Sequence, residues 1–317
     1  MARWICPQAF CAVAGQVPPM SSVRERATVW LQTQIGRWVF RPSRPMQDIR
    51  AQYERLSTVS RAKLKARYPA ISFADHDLGG VPAESTCSLA EPQRLLMHLH
   101  GGVYFFGSAA SFRARANNLS FRCRAQVFMP EYRLAPEHPF PAAFEDVKRA
   151  WRALAALHPG AALTLSGDSA GGGLALALMM AMRDEGGPLP ERCFVISPWT
   201  DLSCSGTSVE TNRRLDWFGR QHAEAWVPQI LAGADATDPR ISPLFGRFEG
   251  LPPLLFVVGG HEVILDDTRR CVAKARAAGV AVQELIGAGM LHDYPLALPK
   301  LAESQRAWRA IAEFCRA

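Results

Sequence analysis

The chain has 317 residues, 48% of them hydrophobic, which suits one large core rather than two equal domains. No apolar run reaches the length needed to span a bilayer, so no membrane span is expected. The net charge is +7, from 36 Lys and Arg against 29 Asp and Glu, but no nucleic-acid motif or basic, aromatic-interleaved face accompanies it. Arg41, Arg44, Arg50, Arg55, Arg61 and Arg67 are therefore expected to be a solvated surface, with no nucleic acid as partner. The eight cysteines, at 6, 11, 87, 123, 193, 204, 271 and 315, show no paired spacing, which in a chain this long implies buried free thiols in a reducing compartment.

In chain order, residues 1–19 form an extension not expected to be ordered, upstream of an alternative start at Met20. The cytoplasm is the expected location, with export as the alternative if residues 1–14 act as a signal. From Ser22 to Ala66 the apolar spacing is helical: Val29, Trp30, Ile35, Trp38 and Val39, then Tyr53, Leu56, Val59 and Leu64, with Pro42 and Pro45 separating two helices. Strands are predicted at 71–78, 83–89 and 94–100, the early ones antiparallel. The third ends in His100-Gly101-Gly102-Val103, where two glycines let backbone N–H groups turn toward a ligand. Val103 is branched and is expected to keep an ordinary backbone. His98-x-His100 lacks the carboxylate or cysteine partners of a metal site, so no metal is expected.

A helix at 111–123, a strand at 125–130 and a helix at 143–157 follow. The apolar run 161–165 then leads into Ser166-Gly167-Asp168-Ser169-Ala170-Gly171-Gly172-Gly173 and the helix-like run from Leu174 to Met180. Strand, glycine-flanked serine and helix is the context of a nucleophile elbow, in which Ser169 projects its hydroxyl and the helix aims N–H groups at developing negative charge. The alternative is a glycine-rich turn with an idle serine. A strand at 192–197, a strand at 253–258, a helix at 266–278, a strand at 280–286 and a helix at 299–316 complete the chain. Alternating strands and helices give an α/β fold with a mostly parallel sheet covered on both faces.

His100-Gly101-Gly102, the block Glu131 to Ala143, Gly167 to Gly172, Ser197 to Leu202 and Gly260 to Asp267 together resemble the bacterial hormone-sensitive-lipase-type (family IV) carboxylesterases, which are α/β-hydrolases with a helical cap. The resemblance covers roughly residues 70 to 315. It implies N-terminal cap helices at 20–69, a catalytic domain at 70–200 and 241–317, and a cap insertion at 201–240 with Trp217, Phe218, Trp226 and Val227 on helices. Arg133 and Glu137 would tie loops together. Where this chain has Val103 the family usually has glycine or alanine, so the oxyanion donors are assigned to the N–H groups of Gly101, Gly102 and Ala170. His100, Gly167, Asp168 and Gly171 are structural parts of the motifs.

The order nucleophile, acid, histidine selects the rest of the triad. Among His158, His222, His261 and His292, only His292 lies in the loop after the last strand, where the base belongs. Glu262 follows the strand at 253–258 directly, while Asp266 and Asp267 fall at a helix start, where the dipole alone favours them. Many relatives carry Asp at the position of Glu262 and a subset carry Glu. The expected activity is hydrolysis of short- to medium-chain carboxylic esters through an acyl-enzyme, without cofactor, in a pocket lined by Tyr104, Trp199, Trp217, Phe218 and Leu291. A lactone or aryl-amide hydrolase with the same triad is the alternative, and a non-catalytic ligand receptor on this fold is the rival from another class. The partner is a small-molecule ester, and the resemblance leaves room for a homodimer.

Overall fold

The computed structural model describes residues 22–317; the expected extension at 1–19 and Met20 lie outside the described residues, as do Cys6 and Cys11. Three helices come first: α1 (Val23–Val39), α2 (Met46–Ser57) and α3 (Arg61–Arg67). Ser22 caps α1 by accepting from the Glu25 N–H, and the prolines at 42 and 45 keep α1 apart from α2. The second expected helix divides in two, because Ser60 caps a new start by accepting from the Lys63 N–H. On α1 only Val29, Thr33 and Gly36 are buried; Trp30, Leu31, Ile35 and Trp38 point outward. The apolar spacing located the helix but not the face it buries.

Eight strands form one sheet: β1 (Ser72–Asp77), β2 (Pro82–Cys87), β3 (Arg94–Leu99), β4 (Ala125–Pro130), β5 (Leu163–Asp168), β6 (Arg192–Ile196), β7 (Leu254–Gly259) and β8 (Val282–Gly287). Their order across the sheet is β1-β2-β4-β3-β5-β6-β7-β8. β1 and β2, and β2 and β4, pair antiparallel, and every later pair is parallel. β5 and β7 are buried along their whole length, as parallel strands covered on both faces must be.

The remaining helices are α4 (Ala109–Cys123), α5 (Ala142–Leu157), α6 (Ser169–Asp184), α7 (Ser208–Thr211), α8 (Arg220–Leu231), α9 (Leu265–Ala277), α10 (Tyr294–Ala297) and α11 (Ala302–Arg316). One buried cluster, including Trp151, Leu174 and Phe256, spans α5, α6 and β7. The other, including Phe112, Phe194, Trp308 and Ile311, seats α4 and α11 against the opposite face. Arg133 pairs with Asp146 and Glu137 with Arg50, so each ties its loop to a helix, to α5 and α2 respectively, rather than to another loop. The six cysteines at 87, 123, 193, 204, 271 and 315 are buried free thiols. No helix among the described residues is long and apolar enough to cross a membrane.

Candidate active site

The site is assembled at the carboxyl ends of the central strands, where loops rather than ladders hold the backbone. β5 ends at Asp168 and the chain turns straight into α6 at Ser169, whose φ of 52° lies in the left-handed region. The helix can start this close only because Gly171 has no side chain: a Cβ there would overlap the carbonyls of Leu99 and His100. Asp168 is anchored from below. Its carboxylate accepts from His98 Nε2 at 2.9 Å, and His98 Nδ1 lies 2.8 Å from the Ser166 hydroxyl. Burial alone would raise Asp168, but His98 outweighs it and holds the carboxyl below its ordinary range. His98 is thus a structural partner of the elbow.

The His100-Gly101-Gly102 loop lies directly against this turn, since a Cβ on Gly101 would sit 3.0 Å from that of Ser169. The N–H groups of Gly101, Gly102 and Ala170 make no hydrogen bond among the described residues. Burial lowers His100 to about 4, so its ring is neutral, and Nδ1 donates to the Gly101 carbonyl at 2.8 Å. Tyr132 stacks on that ring and its hydroxyl donates to the His100 carbonyl at 2.6 Å. Val103 departs from expectation: its φ is 48°, and that of Tyr104 is 62°. Backbone donation from Phe105 and Phe106 to the Gly102 carbonyl winds the segment into a turn, and burial of Val103, Tyr104, Phe105 and Phe106 holds it there. Packing overrides the torsional preference of a branched residue.

Ser169 at the start of α6 and Glu262 and His292 in the loops after β7 and β8 meet in a line. The Ser169 hydroxyl lies 2.9 Å from His292 Nε2, and His292 Nδ1 lies 2.8 Å from Glu262 Oε2. A carboxylate oxygen only accepts, so the ring proton sits on Nδ1 and Nε2 faces the serine as an acceptor. Glu262 is fully buried. Its other oxygen accepts from the Ser197 hydroxyl at 2.7 Å and from the Gly259 N–H. Ser197 in turn accepts from the Asp293 N–H at 3.0 Å. Asp293 Oδ2 lies 3.4 Å from His292 Nε2, on the serine side of the ring. Burial would lower His292, but Asp293 and Glu262 outweigh it and hold the imidazole above its ordinary range.

Residues 96–296 match the α/β-hydrolase fold family. The chain is 39% identical to an acetyl-hydrolase of Streptomyces hygroscopicus over 241 residues, covering 75% of this chain and 81% of the relative. It is 33% identical to an esterase of Acinetobacter venetianus, covering 80% of this chain and 84% of that one. A crystal structure of an esterase from the bacterial hormone-sensitive lipase family superimposes with a TM-score of 0.84 at 33% identity, over 94% of this chain and 99% of the other. The chain belongs to the α/β-hydrolase fold family. Its place among the bacterial hormone-sensitive-lipase esterases makes this hydrolase a carboxylic ester hydrolase acting on small-molecule esters.

Around the line of three, the hydrolase places the other expected residues unevenly. The Trp217 ring centroid lies 5.9 Å from that of His292, and Phe218 packs edge-on against both Trp217 and Trp199. The Trp199 backbone N–H donates to the Ser169 carbonyl at 2.9 Å, and Leu291 is buried beside His292. The Tyr104 hydroxyl donates to the Ala170 carbonyl at 3.2 Å, and its ring lines a narrow cavity with Leu174, Phe140 and Ile230. Trp217 and Phe218 lie between α7 and α8, not on a helix as expected: Asp216 accepts from the Trp217 and Val263 N–H groups and holds that segment in an irregular bend. Trp226 and Val227 are helical, on α8.

The competing histidines fall elsewhere. His222 is enclosed by Trp217, Phe218 and Trp226, His158 follows α5, and His261 lines a separate groove. Asp266 and Asp267 do open α9, but neither caps it. Asp266 accepts from the Ser208 N–H, and Asp267 accepts from the Thr200 and Asp201 N–H groups, stapling distant loops. Sequence reasoning missed Ser197, Asp216 and Asp293 as neighbours of the site. Ser197 opens one of the segments that carry the resemblance and Asp293 follows His292, yet only the tertiary fold turns them toward Glu262 and His292.

Proposed function

We propose that Ser169 is the nucleophile, His292 the general base and acid, and Glu262 the group that fixes its tautomer. The observation that carries this is the Ser169–His292–Glu262 line, with hydrogen bonds of 2.9 and 2.8 Å. Ser169 Oγ attacks the ester carbonyl carbon as His292 Nε2 takes its proton, and the resulting oxyanion is held by the N–H groups of Gly101, Gly102 and Ala170. Collapse breaks the bond to the alcohol oxygen, which leaves with the proton from His292. Water, deprotonated by the same nitrogen, then attacks the acyl-enzyme and releases the acid and free Ser169. The segments before residue 70 and at 201–240 act as a cap: Arg37 of α1 donates to the carbonyls of Asp216 and Arg214 and so joins the two pieces beside Trp217.

The preferred acyl group is short to medium. The half-buried Trp217 ring lies beside His292, buried Phe218 packs against it and against buried Trp199, and the similar Streptomyces protein is named for acetyl groups. A rate series over aryl esters of rising acyl length tests this, with the maximum expected at about two to eight carbons. A maximum on emulsified long-chain substrate contradicts it. Ser169→Ala is expected to lower turnover by about a thousandfold or more while leaving the fold intact. A soluble Ser169→Ala protein with near-normal turnover removes Ser169 from the mechanism.

A further inference from the structure

The outer face of α1 carries a stripe that the fold leaves without a partner among the described residues. Trp30 is 63% exposed, Trp38 62%, Leu31 55% and Ile35 45%, and Val23 at the helix start is 72% exposed. Helical geometry gathers these five on the side opposite Val29, Thr33 and Gly36, which face the body of the protein. Two largely exposed tryptophans on one helix exceed the singly scattered apolar residues normal on a protein surface.

Charge specifies what the stripe meets. Between residues 22 and 67, nine arginines and two lysines stand against three acidic residues, a net of +8. The whole chain carries +7, so the rest sums to −1 and all the excess positive charge lies in this segment. Arg50 and Arg61 pair with Glu137, Asp75 and Glu84, and Arg24 on α1, Arg41 just after it and Arg55 on α2 are exposed. Beside α1 runs a groove of about 500 Å³ with an apolar floor that includes Leu215, Leu265 and Ile286, and Arg26, Arg37, Arg214 and Arg269 also line it. Tryptophan and leucine on one face with arginine beside them is the pattern of a helix lying in a lipid–water interface, where anionic headgroups meet the cations and the rings enter the acyl boundary.

We propose that α1 docks this protein on anionic lipid surfaces, with Val23, Trp30, Leu31, Ile35 and Trp38 entering the interface and the surrounding arginines contacting headgroups. The inner face of the same helix holds Trp217: the Gly36 backbone packs against that ring, whose centroid is 5.9 Å from that of His292. Docking therefore sets the cap, and the site beneath it, against the phase in which apolar esters accumulate.

The test is co-sedimentation of the full chain with vesicles of phosphatidylglycerol and phosphatidylcholine, and with phosphatidylcholine alone. The full chain is expected to bind the anionic vesicles and to be released as salt rises to about 0.5 M, where screening shortens the reach of the arginines. The double variant Trp30→Ser/Trp38→Ser is expected to bind at least about tenfold more weakly, yet to hydrolyse a soluble short aryl ester normally, because neither ring touches the triad. This control also separates failure of docking from failure of the esterase assignment. The proposal is overturned if the full chain does not sediment with anionic vesicles, or if the double variant binds as well as the parent. It is equally overturned if sedimentation velocity shows a dimer that the double variant breaks, making a second copy the occupant. Vesicle binding that appears only after removal of residues 1–21 makes that segment the occupant and overturns it as well.

Discussion

Replacing Glu262 by Gln isolates the charge and proton logic of the proposed triad from its shape. In the parent protein one carboxylate oxygen collects two donors, the Ser197 hydroxyl and the Gly259 N–H, while the other accepts from His292 Nδ1 at 2.8 Å. Glutamine has only one acceptor oxygen. Two donors converge on the first position and one on the second, so the amide oxygen stays with Ser197 and Gly259 and the NH2 turns to His292. Nδ1 must then accept, the ring proton moves to Nε2, and the nitrogen facing Ser169 can no longer take a proton. The expected loss in kcat is about four orders of magnitude, the scale found when a triad carboxylate becomes its amide. That corresponds to about 5.5 kcal/mol of transition-state stabilisation at 1.36 kcal/mol per decade. Stability is expected to change by about 1 kcal/mol or less, because the site keeps its volume and all three hydrogen bonds, the one to His292 reversed in direction. The assay is steady-state hydrolysis of a soluble aryl ester alongside thermal unfolding. A folded Glu262→Gln enzyme within about tenfold of the parent kcat refutes the tautomer argument.

Asp293→Asn, in which Asn tolerates the left-handed backbone, tests the second carboxylate. The proposed base, His292, can take a proton only when neutral, and its raised pKa means the neutral form is lost as pH falls through that higher value. The acid limb of kcat/KM is therefore expected above histidine's ordinary value of about 6.5, and the variant is expected to move it to lower pH; an unmoved limb rules out Asp293 as the cause. Asp267→Ala strips the acceptor from the buried N–H groups of Thr200 and Asp201, so unfolding free energy is expected to fall by about 2–4 kcal/mol with kcat nearly kept. A folded, stable and inactive Asp267→Ala protein would instead place Asp267 in the chemistry. Gly171→Ala drives a methyl group into the Leu99 and His100 carbonyls, and is expected to cost more than about 3 kcal/mol and abolish turnover; a Tm equal to the parent's contradicts that close approach.

Much of the sheet was legible because its inner strands, such as β5 and β7, are buried on both faces and rich in apolar residues, with β4 placed at residues 125–130 as expected. The elbow was legible for a local reason: strand, glycine, serine and helix are contiguous, so one window of sequence contains the whole turn. What stayed hidden depends on contacts distant in sequence. Val103 adopts positive φ because its neighbours bury it. Trp217 leaves the helical pattern because Asp216 is pulled to the Val263 N–H. Asp266 and Asp267 looked like residues answering to the helix dipole, yet their partners, Ser208, Thr200 and Asp201, lie about sixty residues away. The outward face of α1 was equally invisible, since a 3.6-residue period gives an apolar side without saying what covers it.

Val103, Tyr104, Ser169, Ser197 and Asp293 all adopt positive φ, between 46° and 62°, and all belong to or border the line of three or the His100-Gly101-Gly102 loop. Each such non-glycine residue costs on the order of 1–3 kcal/mol relative to relaxed backbone. Glycine would relieve every one of these positions, yet at Ser169 it deletes the proposed nucleophile, and at Ser197 a support of Glu262. A search for thermostabilising substitutions would thus score its gains where turnover is lost. The margin for heat tolerance in this enzyme lies in the outer helices and loops, away from the torsions that aim the reacting groups.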